Sequence, residues 1–427
     1  MGRKPKLQSP TGMHDILPEE QRYFERIYKV VSDIASFYNF ERIETPILEN
    51  SELFSRGIGL ATDIVKKEMF SFKTKGGDFL SLRPEYTASI ARAYIQHGMK
   101  NRPQPLKFWY WGPCFRYEHP QAGRYREFWQ FGFEVLGEKS AIVDAQIIQV
   151  FWNILKELKL KDLIVEINSI GDSQCRPYYK KLLKSYFKSR QASLCTNCKR
   201  RLSENVLRIL DCKEEKCQPL KTEAPQILDH LCEECKTHFK EVLEFLDEIE
   251  IPYNLNPYLV RGLDYYTKTV FEIFSTNQEG ENRVALIGGG RYDKLIKTLG
   301  GKDTPACGGA AGIERIVNLM KEKEIEISAE KKVFLFLAQL GVLAKRKSLK
   351  ILEEFRKARI RVAESFGRDS LRAQLNKANK IGARYTLILG QKEALEGKII
   401  IKDMKNGKQD TIKLEKIVQE IKKRLKK

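Results

Sequence analysis

Long apolar runs are missing from this chain. The longest, Val333 to Ala344, is interrupted by Gln339 and is too short to cross a bilayer. Met1 to Glu20 carries basic residues with no apolar stretch behind them, so the expectation is a protein that is neither exported nor membrane-bound and works in the cytoplasm. No Gly-x-x-x-x-Gly-Lys-Ser/Thr occurs, because Gly301-Lys302 is followed by Asp303, and no Gly-x-Gly-x-x-Gly follows a strand. Any bound nucleotide must therefore have its phosphates held by side chains. Internal repeats and low-complexity tracts are absent too, which excludes a repeat array. Acidic residues are in deficit, 56 against 76 Lys and Arg, giving a net charge of +20.

What is present is a globular chain of 427 residues, long enough for two or three domains, with 42% hydrophobic content that excludes a disordered protein. The basic excess is uneven. Lys331 to Lys427 hold 27 basic and 10 acidic residues, a surplus of 17 that suits a phosphate-bearing partner. Nine cysteines without an export signal fit a reducing compartment where thiols are free or metal-bound.

Apolar spacing predicts a helix over Pro18 to Tyr38, then aromatic-rich strands at Glu41 to Ile47, Lys107 to Tyr117 and Gln130 to Leu136, close enough in sequence to pair antiparallel. A helix over Ala141 to Leu160 and a strand at Leu163 to Ile170 follow. From Asp172 to Pro252 the texture turns Lys/Glu-rich and helical with clustered cysteines, which reads as an insertion. Strand-like sequence resumes at Tyr258 to Phe274, Gly-rich segments follow at Gly288 to Gly290 and Cys307 to Gly312, and a helix covers Ile313 to Lys323. The fold class is α+β: an antiparallel sheet core flanked by helices over 1–328, interrupted by the 172–252 insertion. Residues 329–427 alternate strands and helices as a separate small α/β domain.

The densest polar cluster is Arg83-Pro-Glu85-Tyr86-Thr87 together with Phe115-Arg116-Tyr-Glu118-His119-Pro-Gln121-Ala-Gly123-Arg124-Tyr-Arg126-Glu-Phe-Trp129-Gln130. Arginine forks suit phosphate, and Glu or Gln beside them can fix an ammonium or a ring N–H. A solvated hairpin of mixed charge is the bland alternative, weakened here because further clusters recur. Phe40 to Glu49, the Phe115-Arg116-x-Glu118 hairpin with Arg124, and Gly308-x-x-x-Gly312-Ile-Glu-Arg315 resemble the three signature motifs of class II aminoacyl-tRNA synthetases. Arg261-Gly-Leu-Asp-Tyr265-Tyr266 and Gly289-Gly-Arg291-Tyr-Asp293 resemble the two motifs peculiar to the histidyl-tRNA synthetase family, in the right order along essentially the whole chain.

The resemblance implies a class II homodimer, with Pro46 and its flanking strand at the interface, that uses ATP with Mg, L-histidine and histidine tRNA. It implies Arg116 on the α-phosphate, Arg315 along the γ-phosphate, and Arg261 between carboxylate and α-phosphate, with Glu118 and Arg124 also at ATP. Cations should dominate such a site. Glu134 and Tyr266 match positions that meet the imidazole; Glu85, Thr87 and Gln130 match those holding the α-ammonium, with Tyr86 and Tyr265 nearby. Gln121 and Arg124 fall on the loop that meets the tRNA acceptor end, and the last domain resembles an anticodon-binding domain. Tyr86, His119 and Trp129 depart from the family pattern, and the bulk of Tyr86 and Trp129 leads us to expect a drier pocket wall. The alternative function is a synthetase-like, histidine-sensing regulatory subunit of ATP phosphoribosyltransferase; the intact Arg261–Tyr266 motif and the basic terminal domain weigh against it.

Cys195-x-x-Cys198 and Cys232-x-x-Cys235, with Cys212 and Cys217 between them, have spacing that suits tetrahedral zinc. The expectation is one structural zinc on Cys195, Cys198, Cys232 and Cys235; free thiols are the alternative. His230 and His238 read as insertion-surface residues.

Overall fold

The computed structural model describes residues 7–120, 123–276, 283–327, 335–367 and 370–425. The chain divides into two compact units, Met1–Glu326 and Ile327–Lys427. No helix among the described residues is long and apolar enough to cross a membrane.

The first unit is built on an eight-stranded sheet. Across it run Glu41–Arg42, Leu106–Phe115, Glu127–Leu136, Ala306–Gly312, Arg283–Arg291, Thr267–Thr276, Leu163–Ser169 and Tyr253–Leu255. The inner pairs are antiparallel and only the two short edge strands pair parallel. Strand alternation sends neighbouring residues to opposite faces. On one face Trp109 meets Tyr28, Trp129 and Trp111 meet Phe24, and Phe133 meets Phe40 and Phe151. Helices Pro18–Phe37 and Ile142–Glu157 cover this aromatic face. The other face carries Phe108, Tyr110, Gln130 and Glu134, with helix Thr87–Gln96 packed on its lower part.

Three expectations fail for backbone reasons. The stretch Glu41 to Ile47 pairs only at Glu41–Arg42, and Leu48–Asn50 joins a separate three-stranded sheet with Phe79–Leu82 and Ser71–Lys73. Strand structure begins only at Thr267 rather than at Tyr258, because Pro257 and Gly262 punctuate the run before it and Arg261 to Tyr266 turn over the sheet. The Gly-rich Ala306–Gly312, expected as the approach to a helix, is itself a central strand, and helix Ile313–Glu322 starts directly from it.

Arg291, with no exposed side-chain surface, locks the strands to the neighbouring helix. Its guanidinium donates to both Asp144 carboxylate oxygens, to the carbonyls of Glu138 and Ser140 at 3.0 Å, and to Asp293 at 3.2 Å. Burial alone would raise Asp144, but the Arg291 charge overrides it and holds the carboxyl at about 2. His238 also reaches Asp144 at 3.4 Å and is buried, so it is not the surface residue expected.

The insertion has its own core around Tyr179, Leu183, Phe187, Leu202 and Ile209, and its last helix, Glu233–Glu248, packs on Ile142–Glu157. The second unit is a five-stranded sheet ordered Val362–Glu364, Leu335–Gln339, Tyr385–Leu389, Lys398–Asp403, Gln409–Lys413. Its first three strands are parallel and the last two antiparallel, over a core of Leu337, Ile351, Phe355, Leu387, Ile401 and Ile417. The strand Gln409–Lys413 and the short helix Gln391–Glu396 have no counterpart in the sequence expectation.

Candidate active site

A cavity of about 270 Å³ opens on the sheet face away from Trp109 and Trp129. Arg116, Arg261 and Arg315, separated by up to 199 positions in the chain (315 − 116), all line it, together with Glu85, Thr87, Gln130, Tyr265, Tyr266, Glu118 and Arg124.

The sheet makes room for this cavity by pairing long polar side chains with glycine. Gln130 lies between Gly112 and Gly312 on its two neighbour strands, and Glu134 has Gly308 beside it. A Cβ at Gly308 would collide with the Glu134 carboxylate, and one at Gly288 would strike the Arg261 guanidinium. Glycine here is required by close approach rather than by a special φ.

Each arginine is aimed by a protein acceptor. Arg116 donates Nε–H to the Pro84 carbonyl at 2.9 Å and sits against the Phe128 ring. Arg315, on the first turn of helix Ile313–Glu322, donates to the carbonyls of Ala285 at 2.8 Å and Gly123 at 3.3 Å. Arg261 pairs with Glu272, and its Nε–H is buried without a protein acceptor. An unpaired buried guanidinium donor is costly, so this one is poised for an anionic oxygen from a ligand.

Glu85 accepts from the backbone amides of Thr87 at 2.6 Å and Ala88 at 2.9 Å, capping helix Thr87–Gln96, and Tyr265 approaches it at 3.4 Å. Burial pushes its carboxyl above the ordinary range, opposed by those amide hydrogen bonds. Glu134 is fully buried, lies behind the cavity lining, and accepts from Thr87 at 2.7 Å and from Tyr292. Burial pushes Glu134 up to about 8. Glu314, which accepts from the Trp129 amide at 2.8 Å, is pushed to about 7 by the same cause.

Several expectations need correction. Tyr86 does not line the cavity: its ring stacks on Tyr110 at 4.1 Å and its hydroxyl meets Arg83, so it is core beneath the site. Trp129 faces the opposite side of the sheet because it is one residue out of phase with Gln130. Neither ring forms the drier wall. Cations do not dominate the cavity either, since Arg116, Arg124, Arg261 and Arg315 face Glu85, Glu118, Glu272 and Glu314. Half-buried guanidinium groups need counter-charge, and Glu118 bridges Arg116 and Arg124 at 3.9 and 3.5 Å. Gln121 lies outside the described residues.

Sequence reasoning missed Glu272, Tyr110, Tyr125 and Glu314, all of which line the cavity. Glu272 carried a signal: it is a lone carboxylate inside the apolar run Val270–Phe274. The cysteine pairs are not brought together. Cys195 and Cys198 group with Cys212 and Cys217, while Cys232 and Cys235 group with Asp172 and Cys175. The two Cys-x-x-Cys pairs therefore belong to separate clusters.

An antiparallel sheet bearing a hairpin arginine, a second arginine at the start of the following helix and glycine-lined strands between them is the catalytic architecture of class II aminoacyl-tRNA synthetases. Residues 12–316 match the family model for histidyl-tRNA synthetase, and 336–424 match the model for an anticodon binding domain. The chain belongs to the histidyl-tRNA synthetase family. It is 44% identical over 418 residues to a histidine–tRNA ligase of Dehalococcoides mccartyi and 42% identical over 421 residues to one of Caldicellulosiruptor saccharolyticus, covering 98% of this chain and all of each relative. Apo S. aureus histidyl-tRNA synthetase superposes with a TM-score of 0.80 at 35% identity, covering 97% of this chain and 99% of that one. An ATP phosphoribosyltransferase regulatory subunit/histidyl-tRNA synthetase from Bacillus halodurans shares the fold at 22% identity and a TM-score of 0.63.

Proposed function

We propose that this chain is a histidine–tRNA ligase: its cavity joins L-histidine to ATP, supplied as the magnesium salt, and the histidyl group is then passed to the 3′ end of histidine tRNA. The observation that carries this reading is the meeting of Arg116, Arg261 and Arg315 in one cavity with Gln130, Thr87 and Tyr266.

The histidine carboxylate attacks the α-phosphorus and pyrophosphate leaves; a tRNA ribose hydroxyl then attacks the activated carbonyl and AMP leaves. No covalent enzyme intermediate is needed, so the protein's work is alignment and charge stabilisation. Arg116 holds the α-phosphate, aided by Glu118 and Arg124 around ATP, and Arg315 holds the γ-phosphate. Arg261, with its free Nε–H, takes the carboxylate and the α-phosphate as negative charge builds. Glu85, Thr87 and Gln130 meet the ammonium, with Tyr265 close to Glu85. Tyr266 takes one imidazole nitrogen, and Glu134 serves the other only through Thr87, whose hydroxyl proton it accepts from behind the lining. Partners at both ring nitrogens reject amino acids lacking them, because the site's own polar groups would be left unpaired.

Arg124, on the hairpin, also serves the acceptor end with Gln121, and the basic terminal unit binds the anticodon region. A cytoplasmic homodimer fits the exposed apolar residues Ile47 and Leu48 beside Pro46, a surface that a second copy would cover. The regulatory reading gains nothing from the intact lining made by Arg261, Tyr265 and Tyr266.

The deciding assay is histidine-dependent exchange of labelled pyrophosphate into ATP. The unmodified chain should exchange, and Arg261→Ala should lose about 10²–10³-fold in rate. Equal exchange in both would remove Arg261 from the chemistry, and no exchange in the unmodified chain would end the ligase reading.

A further inference from the structure

Outside the catalytic cavity, the insertion gathers thiols sulfur to sulfur at two places. Cys195, Cys198, Cys212 and Cys217 are all buried and their four Sγ atoms lie within 4.8 Å of one another. Cys195 Sγ is 3.9 Å from Cys212 Sγ. A tetrahedral ion with Zn–S bonds of about 2.3 Å sets its sulfurs about 3.8 Å apart. Two backbone amides point at the group, Cys198 N–H to Cys195 Sγ and Cys195 N–H to Cys217 Sγ, both at 3.3 Å. Amides placed this way stabilise thiolates rather than thiols, as ligands of a cation require. A disulfide would use two of these sulfurs and has no use for four converging.

The second group is Asp172, Cys175, Cys232 and Cys235. Cys175 Sγ is 3.8 Å from Cys235 Sγ and 3.6 Å from Asp172 Oδ1, and Cys232 Sγ is 4.0 Å from the same oxygen. The Asp172 amide donates to Cys175 Sγ at 3.3 Å. Asp172 and Cys175 follow strand Leu163–Ser169 where the chain enters the insertion, and Cys232 and Cys235 open its last helix, Glu233–Glu248.

We infer that the insertion is a two-zinc module, with a Cys₄ ion at the base of helix Thr196–Glu204 and a Cys₃Asp ion clamping the insertion's entry to the start of its last helix. Both are closed four-ligand sites and are structural. The first would fix the helix that presents Arg200 and Arg201 to Asp63 at 3.5 Å, beside the Asn205–Asp264 hydrogen bond of 2.8 Å next to Tyr265. The metal thus braces a segment that adjoins the catalytic cavity.

Elemental analysis of the reduced full chain, grown and purified with zinc and without chelator, should find two zinc ions per chain. The pair Cys198→Ser with Cys212→Ser should remove one, and Asp172→Asn with Cys235→Ser the other. Loss confined to one pair keeps that site and overturns the other; a chain with no zinc overturns both. Because a variant that fails to fold could also lose metal, the unmodified chain is loaded with cobalt(II) as well. Thiolate-to-cobalt charge-transfer absorption with tetrahedral d–d bands is the expected result, and their absence overturns the inference.

Discussion

Arg291 and Asp144 of the sheet-bearing unit have no exposed side-chain surface and Glu134 none either, whereas the terminal unit buries no lysine or arginine among its described residues. One unit encloses a full ion pair and gives it named partners; the other buries only Asp403 among its described charged residues and keeps its described lysines and arginines at least partly exposed. Enclosed charges are individually strong, little screened and tied to one geometry. Displayed charges act as a field, each contributing little and all weakened by salt. The contrast teaches where chemistry and where attraction reside, and it can be broken at several points.

Removing the field entirely has the largest effect. Deleting residues 331–427 should abolish aminoacylation while pyrophosphate exchange persists, because the two units are separately compact and the cavity lies wholly in the first. Unchanged charging would show that the basic unit is only a solubilising surface.

Next comes the enclosed pair. Asp144→Asn leaves Arg291 buried with its principal counter-charge gone, and should cost about 3–5 kcal/mol in urea unfolding. A loss near that of an exposed pair, under about 1 kcal/mol, would mean that burial adds nothing here.

That pair also measures how far the sequence could be read. The motif Gly289-Gly-Arg291-Tyr-Asp293 was visible, but its work was not. Arg291 binds Asp144, 147 positions away, and only the sheet brings them together. The three cavity arginines were legible because each sits in a local pattern that fixes its own backbone. Glu272 was not, since its importance comes from standing across from Gly288 on the next strand, beneath Arg261. Trp129 was misread for a simpler reason: a one-residue phase on a strand decides which face a ring takes, and composition carries no phase. Tyr86, just ahead of helix Thr87–Gln96, was misread because the Tyr110 ring it stacks on comes from a separate strand. The two Cys-x-x-Cys pairs were wrongly joined, because Cys175, Cys212 and Cys217 come beside them only in the folded insertion.

Glu134 offers a subtler test of enclosure. Between the ordinary carboxylate value and about 8, the folded chain keeps a proton that the unfolded chain has released, so stability falls as pH rises across that window and levels off above it. Gln cannot ionise. The unfolding free energy of the unmodified chain should therefore decline more steeply from about pH 5 to about pH 8 than that of Glu134→Gln. Parallel profiles would show that Glu134 is ionised throughout, its charge carried by Thr87 and Tyr292.

The smallest effect belongs to the displayed side. Lys392 has a side chain 82% exposed and meets Glu396 only at 4.0 Å, so Lys392→Ala should leave stability within about 0.5 kcal/mol. If Lys392 faces RNA phosphate, tRNA affinity falls modestly and the slope of log affinity against log salt shrinks by about one; if it faces solvent, neither changes. A fall beyond about tenfold with an unchanged salt slope fits neither case. It would mean that Lys392 makes a specific, desolvated contact, and that the terminal unit, like the sheet, works through single residues rather than through summed charge.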